Sequence, residues 1–100
     1  MARSREYHDY LIEQLQEHDK AVAYLNAALE ESLKGDVESQ HLFITALRNV
    51  AEAQGGIGNL AKKTGMGRES LYKTLSEKGN PKWHTLVSLM LALGLNLRLA

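Results

Sequence analysis

The sequence contains no cysteine, one proline and no long apolar run. Without cysteine the chain forms neither disulfides nor thiolate metal sites, and the absence fits a reducing compartment such as the cytoplasm. The longest apolar run, residues 89–93, is far too short to span a membrane. Residues 1–17 are charged and lack an apolar stretch, so we expect no signal peptide and no membrane partner.

Signatures of catalysis and of metal binding are also missing from the sequence. None of the four histidines pairs with another ligand at a metal-binding spacing, and surface or interface positions suit them better: His8, His18, His41 and His84. We find no nucleophile elbow, phosphate loop or zinc motif. The glycine cluster at residues 55–58 follows no strand, which indicates a helix break. We therefore expect a protein that is not an enzyme and that uses no metal or cofactor.

The charge is unevenly distributed, although the net charge of the 100 residues is zero. Residues 1–54 hold five Lys or Arg against ten Asp or Glu, whereas residues 55–100 hold seven against two. This split favours a C-terminal half that meets an anion and an N-terminal half that does not. A dipolar surface without any partner is the alternative at this point.

Apolar residues recur at helical spacing through most of the chain. The spacing predicts six helices, at residues 7–17, 20–34, 37–54, 57–64, 68–76 and 83–93. Asp19, Asp36 and Asn80 are placed to cap three of them, with Pro81 at a first helical position. The predicted core faces include three stripes: Tyr7, Leu11, Ile12 and Leu15; Val22, Leu25, Leu29 and Leu33; and Trp83, Leu86, Val87, Met90 and Leu93.

The last residues alternate strictly between apolar and polar types. Residues 95–99 therefore predict a short strand. A single strand leaves backbone groups unpaired, so it needs a partner strand from a second subunit or from another protein.

The most informative segment is residues 57–75. Ala61 is followed by glycine at the fourth position, Gly65, and by apolar residues at the fifth and tenth, Met66 and Leu71. This is the spacing of a helix-turn-helix, in which glycine takes the left-handed conformation of the turn at low cost. A plain helical bundle with a similar turn is the alternative. In a helix-turn-helix the second helix enters the major groove of DNA.

The candidate DNA-binding residues are polar positions on and around that second helix. Arg68 is the best candidate for a base contact, because its fork matches the acceptors of guanine. Glu69 could accept from a cytosine, although a first-turn acid that favours the helix dipole is the better interpretation. The full predicted set is Asn59, Lys62, Gly67, Arg68, Glu69, Ser70, Tyr72, Lys73, Lys78 and Lys82, with Asn59 and the lysines at 62, 78 and 82 directed at phosphates.

Four separated segments carry a more specific resemblance. Residues 23–31 (AYLNAALEE), 67–75 (GRESLYKTL), 79–81 (GNP) and 92–95 (ALGL) resemble the addiction-module antidote (antitoxin) family of small Xre-type, Cro/lambda-repressor-like proteins. The resemblance extends from about Glu17 to Leu99. It implies an all-α, lambda-repressor-like helix-turn-helix bundle with extra N-terminal helices and a short C-terminal β-strand.

The resemblance also implies a function. It implies a cytoplasmic antitoxin that neutralises a small RelE/ParE-like toxin and, as a homodimer bound to double-stranded operator DNA, represses its own operon. We accordingly divide the chain into an N-terminal helical extension, residues 1–35, which is a candidate for toxin or dimer contacts, and a DNA-binding domain, residues 36–100. A stand-alone Xre-type regulator without a toxin and a module that binds only proteins are the alternatives.

Overall fold

A computed structural model describes residues 2–76 and 78–95 of the chain, with side chains from residue 5 onward. These residues form six helices: α1 (Ala2–Gln14), α2 (His18–Ser32), α3 (Val37–Ala53), α4 (Ile57–Thr64), α5 (Arg68–Thr74) and α6 (Trp83–Ala92). The described part of the chain contains no strand, so the expected helical class is confirmed. None of its helices is both long and apolar enough to cross a membrane.

The central element is α3, against which α1, α2 and α4 all pack. Leu25 of α2 and Leu47 and Val50 of α3 are completely buried. The residue that follows α1 is held at the C-terminal end of α3. Gln54, the C-cap of α3, donates from Nε2 to the carbonyl oxygen of Leu15 at 2.7 Å. The apolar cluster is continuous from Leu15 through α3 to Leu95.

The start of α3 is fixed by Asp36, as its sequence position predicts. The Asp36 carboxylate accepts a hydrogen bond from the Ser39 backbone N–H at 2.7 Å, which satisfies one of the free donors of the first turn. The hydrogen bond from that backbone N–H also lowers the pKa of Asp36. Just before it, Gly35 has a φ of 88°, a backbone conformation that separates α2 from α3 at low steric cost.

Two predicted caps and some helix ends are wrong. The N-cap of α2 is Glu17 and not Asp19, which lies in the first turn of the helix. The Glu17 side chain forms no capping hydrogen bond. Helix α6 begins at Trp83 with Lys82 as its N-cap, so Asn80 and Pro81 belong to the preceding loop. The predicted first helix of residues 7–17 lies instead at Ala2–Gln14, and α5 ends at Thr74 instead of residue 76.

The buried face of α6 also differs from the predicted one. Leu89 is completely buried, with Leu86, Met90 and Leu93 packed beside it, whereas Trp83 is 75% exposed. The segment Trp83–Ala92 has no Lys, Arg, Asp or Glu. Its polar residues are His84, Thr85 and Ser88, of which His84 and Ser88 are exposed, so the outer side of the helix carries only a weak polar signal. The outer ends of two other predicted stripes, Tyr7 and Leu33, are likewise exposed.

Three further expectations stay predictions. Of the predicted strand at residues 95–99, Leu95 is buried and not in a strand, and the other four positions lie outside the described residues. The six helices do not by themselves establish the lambda-repressor-like arrangement. The division of the chain at residue 35 likewise stays a prediction, while α2 packs along α3 across that boundary.

Candidate nucleic-acid interface

A sharp bend separates α4 from α5, as the sequence predicts. Gly65 caps α4 with a φ of 73° and a ψ of 10°, which is the left-handed conformation that glycine adopts without a steric penalty. Met66 is half-buried and packs against the core beneath the turn. Ala61, which precedes the bend by one turn, is buried, and α4 and α5 pack against each other.

Helix α5 has one buried and one exposed side. Leu71 and Leu75 are buried in the core and hold the helix against its neighbours. The predicted contact residues on the other side are all exposed: Gly67, Arg68, Glu69, Ser70, Tyr72 and Lys73. The exposed positions occupy the first turn and then recur one turn later, so the N-terminal end of α5 presents a polar surface. Its N-cap is Gly67, which has no side chain to form a capping hydrogen bond.

Arg68 lies at the centre of the exposed surface. Its guanidinium carbon is 5.8 Å from the centroid of the Tyr72 ring, which is within the range of a cation–π contact. Two open depressions meet at Arg68, one of about 470 Å³ and one of about 660 Å³. Asn59 borders both, Tyr72 borders the first and Lys62 borders the second. The structure therefore brings three of the other predicted residues, Asn59, Lys62 and Tyr72, together around Arg68.

The remaining predicted lysines lie elsewhere. Lys73 is exposed one turn along α5. Lys78 borders a separate depression of about 430 Å³ beside α3, and Lys82 is exposed at the start of α6. These three lysines therefore lie outside the two depressions around Arg68. None of the ion pairs among the described residues includes one of these lysines or Arg68.

Several of these charged residues also stabilise their own helices. Lys62 and Lys63 occupy the last turn of α4, and Glu69 occupies the first turn of α5. In those positions lysine and glutamate interact favourably with the helix dipole. Glu69 therefore has a structural explanation without any ligand, as the sequence interpretation preferred.

The sequence interpretation missed one cation at the site. Arg48 on α3 is exposed and borders the same depression as Arg68, together with Glu52. Glu52 also lies 3.4 Å from the imidazole of His8 on α1. A helical wheel places Arg48 on the polar side of α3. It does not show that Arg48 lies near α5, because that proximity depends on the packing of α3 against α4. Within the described residues no group of three or more His, Asp or Glu is placed to hold a metal ion.

Comparison with known proteins gives one family. The family model described as "Probable addiction module antidote protein" matches residues 6–100. A protein of Haemophilus influenzae described as "Uncharacterized protein" is 35% identical over 83 residues, which is 83% of this chain and 78% of that protein. No solved structure matches the chain. Since the family model covers nearly the whole length, the chain belongs to the probable addiction module antidote proteins.

Proposed function

We propose that this protein is a DNA-binding antitoxin that represses its own operon. In this proposal α4 and α5 are the two helices of a helix-turn-helix, and α5 lies in the major groove of operator DNA. Membership of the antidote family supports an antitoxin with a toxin partner. We further propose that the toxin is a small RelE/ParE-like protein, that the antitoxin is a cytoplasmic homodimer, and that the operator is an inverted repeat with half-sites about one DNA turn apart.

The observation that carries the DNA-binding proposal is the exposed N-terminal end of α5. Arg68 leads this helix, protrudes between two open depressions and is paired with no acid among the described residues. The helix is held by buried Leu71 and Leu75, so its outer side is free to enter a groove. A guanidinium at the leading end of such a helix suits bidentate recognition of guanine. Lys62 and Lys73 are exposed nearby and suit phosphates.

A second function, protein binding, is favoured by the acidic N-terminal half. Glu6, Asp9 and Glu13 recur along α1 at helical spacing and are all exposed. A carboxylate surface of this kind suits a basic partner, and proteins that act on nucleic acid are commonly basic. In the proposed antitoxin the two functions coexist. A stand-alone regulator uses only the first, and the gene next to this one distinguishes the two cases.

Titration of promoter DNA tests the proposal. Fluorescence anisotropy would follow binding of a labelled duplex from the region upstream of the gene, with a scrambled duplex as the reference. We expect Arg68→Ala to weaken operator binding by about five- to a hundredfold, which corresponds to the loss of one bidentate base contact of roughly 1–3 kcal/mol. Lys73→Ala should weaken binding to both duplexes similarly and reduce the salt dependence.

Matched controls come from α1 and α2. Arg5→Ala and Lys20→Ala remove the same charges from exposed positions in the acidic half and should leave the affinity nearly unchanged. If Arg68→Ala and Lys73→Ala bind the promoter as tightly as the wild type does, α5 is not the recognition helix. If the wild-type protein binds no promoter fragment but still binds the product of the adjacent gene, protein binding is its function.

A further inference from the structure

Two charged residues of α3, Arg48 and Glu52, lie one turn apart on its exposed side. Neither belongs to the two helices of the proposed helix-turn-helix. Both nevertheless line the depression of about 470 Å³ that Arg68 borders. The proposed function gives neither of them a role.

This depression lies where three helices meet. Its lining includes Arg48 and Glu52 near the end of α3, residues 55–59 from the turn and the start of α4, and Arg68 at the start of α5. Arg68 Nε lies 3.9 Å from the position that a Cβ atom would take on Gly58, so this side chain extends over the first turn of α4. Three of residues 55–59 are glycines. Two arginines from different helices therefore border one opening whose floor carries few side chains.

Stabilisation of α3 does not explain either charge. Arg48 lies outside the first and last turns of the helix, where the helix dipole has little effect. Glu52 occupies the last turn, where the dipole disfavours an acid. An ion pair between the two would explain both, but the ion pairs of the described residues include no such pair. The Glu52 carboxylate instead lies 3.4 Å from Nε2 of His8 on α1.

We propose that Arg48 binds a phosphate of the DNA backbone beside the groove that α5 enters, and that Glu52 opposes this contact. The inference rests on the proposed function and extends its DNA surface from α4 and α5 to α3. When a recognition helix lies in the major groove, the neighbouring helices face the sugar–phosphate strands that border it. A guanidinium forms charge-assisted hydrogen bonds with phosphate oxygens. The half-exposed carboxylate of Glu52 in the same depression repels them.

A base contact suits Arg48 less well than a phosphate contact. Base edges are read by the element that enters the groove, and in the proposed complex that element is α5. A free phosphate ion is the other source of the same ligand chemistry. The depression is open, so a small anion there stays hydrated, whereas a duplex held by α5 keeps its phosphates in place.

Fluorescence anisotropy with the promoter duplex and a scrambled duplex tests the role of Arg48, at about 50 mM and about 200 mM salt. We expect Arg48→Ala to weaken binding to both duplexes by the same factor, because a phosphate contact carries no sequence information. The loss should be about three- to fourfold larger at the lower salt concentration, which corresponds to one phosphate contact fewer. Arg68→Ala should instead reduce the preference for the promoter duplex.

Glu52→Gln should have the opposite effect. The amide keeps the shape of the side chain and removes the charge. We expect tighter binding to both duplexes, by about two- to fivefold at low salt and by less at high salt, where the repulsion is screened. The free energy of unfolding should stay the same or rise slightly, because an acid is removed from the last turn of α3. A change in folding therefore would not produce the tighter binding.

Matched controls change the same charges elsewhere. Lys34→Ala and Glu30→Gln alter exposed residues near the α2–α3 corner that line no part of the depression, and they should leave both affinities nearly unchanged. That corner is about 16 Å from Arg48 along α3, at about 1.5 Å per residue. Arg48→Lys should restore most of the affinity that Arg48→Ala loses, since a phosphate accepts a point charge.

The outcomes separate this inference from the function on which it rests. If Arg48→Ala binds both duplexes as tightly as the wild type does while Arg68→Ala loses promoter binding, the inference is overturned and the proposed function stands. A selective loss of promoter binding in Arg48→Ala would assign a base contact and overturn the phosphate role. Glu52→Gln that binds no more tightly than the wild type overturns the opposing role of Glu52. A wild-type protein that binds neither duplex overturns both the inference and the proposed DNA binding.

Titration calorimetry with inorganic phosphate alone distinguishes the two sources of phosphate. We expect no saturable binding by the wild-type protein. Saturable binding that Arg48→Ala abolishes would show a site for a free anion and would overturn the assignment to the DNA backbone.

Discussion

Among single residues, Tyr72 shows most clearly how one side chain can act through another. It lies one turn after Arg68 on α5, is 40% exposed, and holds the guanidinium 5.8 Å from its ring centroid. A free arginine side chain loses much rotational freedom when it fixes a base contact. A ring that already restricts the guanidinium reduces that loss. Tyr72 therefore belongs to the proposed interface as a positioning residue for Arg68.

A double-mutant cycle on promoter DNA tests this role. We expect Tyr72→Leu to weaken binding about two- to fivefold, which is the range of an exposed cation–π contact. Tyr72→Phe keeps the ring and should bind like the wild type. In the Arg68→Ala background, Tyr72→Leu should have no further effect. Additive losses, or a Tyr72→Phe variant as weak as Tyr72→Leu, would instead show that the tyrosine contacts DNA directly.

Individual residues also show where sequence reasoning succeeds and where it fails. The exposed face of α5 follows from local periodicity, because Leu71 and Leu75 are flanked by polar residues that leave no other buried side. The spacing of apolar residues predicts that Trp83 lies on the core face of α6, yet it is 75% exposed. His84 and Ser88 are exposed as well, so the polar residues do mark the outer side of this helix. Trp83 is the first residue of the helix, and periodicity does not show how far the core extends toward that end.

Among the elements, the connection from α5 to α6 depends on a glycine for a reason other than backbone freedom. Gly79 is buried, its N–H donates to the carbonyl oxygen of Ser76 at 2.9 Å, and a Cβ atom built on it would overlap the carbonyl oxygen of Thr74. The loop therefore crosses the C-terminal end of α5 so closely that any side chain displaces it. Gly79 also lines an apolar groove of about 390 Å³ between the α2–α3 corner and the loop that leads into α6.

Gly79→Ala should consequently destabilise the fold. We expect the free energy of unfolding, measured by urea denaturation, to fall by about 1–3 kcal/mol, as for overpacking in other cores. Gly58→Ala is the matched control, since a Cβ there would lie 3.9 Å from its nearest neighbour, Arg68 Nε, an ordinary contact distance. It should leave stability unchanged or raise it slightly, because alanine favours a helix. Equal stability of the two variants would contradict the close approach at Gly79.

Element boundaries were predictable where a side chain makes the cap and were missed where the backbone does. Asp36 begins α3 through its own carboxylate, which composition and position identify. Helices α2 and α6 begin after their N-caps, Glu17 and Lys82, neither of which forms a side-chain capping hydrogen bond, so the usual cap residues Asp19 and Asn80 are misleading. Their ends are set by the path that the chain takes across α3 and α5, which is a property of the packed molecule.

For the whole molecule, the separation of charge and the shared core together determine how the toxin contact can be tested. Deletion of residues 1–35 removes most of the acidic residues of the N-terminal half. In the structure Ala21 and Leu25 of α2 are completely buried, and Leu15 is nearly so. Each buried leucine contributes roughly 1.5–3 kcal/mol, so the deletion removes part of the core along with the charge. Loss of binding after deletion therefore does not locate the contact.

Neutralisation of α1 avoids this problem. Glu6→Gln, Asp9→Asn and Glu13→Gln together remove three exposed charges and leave the buried residues in place. If the acidic half binds a basic toxin, this variant should associate with the product of the adjacent gene on the order of tenfold more slowly at low salt, because charges at an interface act mainly on the association rate. The difference should disappear at high salt, where screening removes the attraction.

Biolayer interferometry measures the association rate at both salt concentrations. As a control, the promoter affinity of the same variant should stay at the wild-type value, since the proposed DNA surface lies around Arg68. An association rate equal to that of the wild type at low salt would show that the toxin binds elsewhere on the molecule.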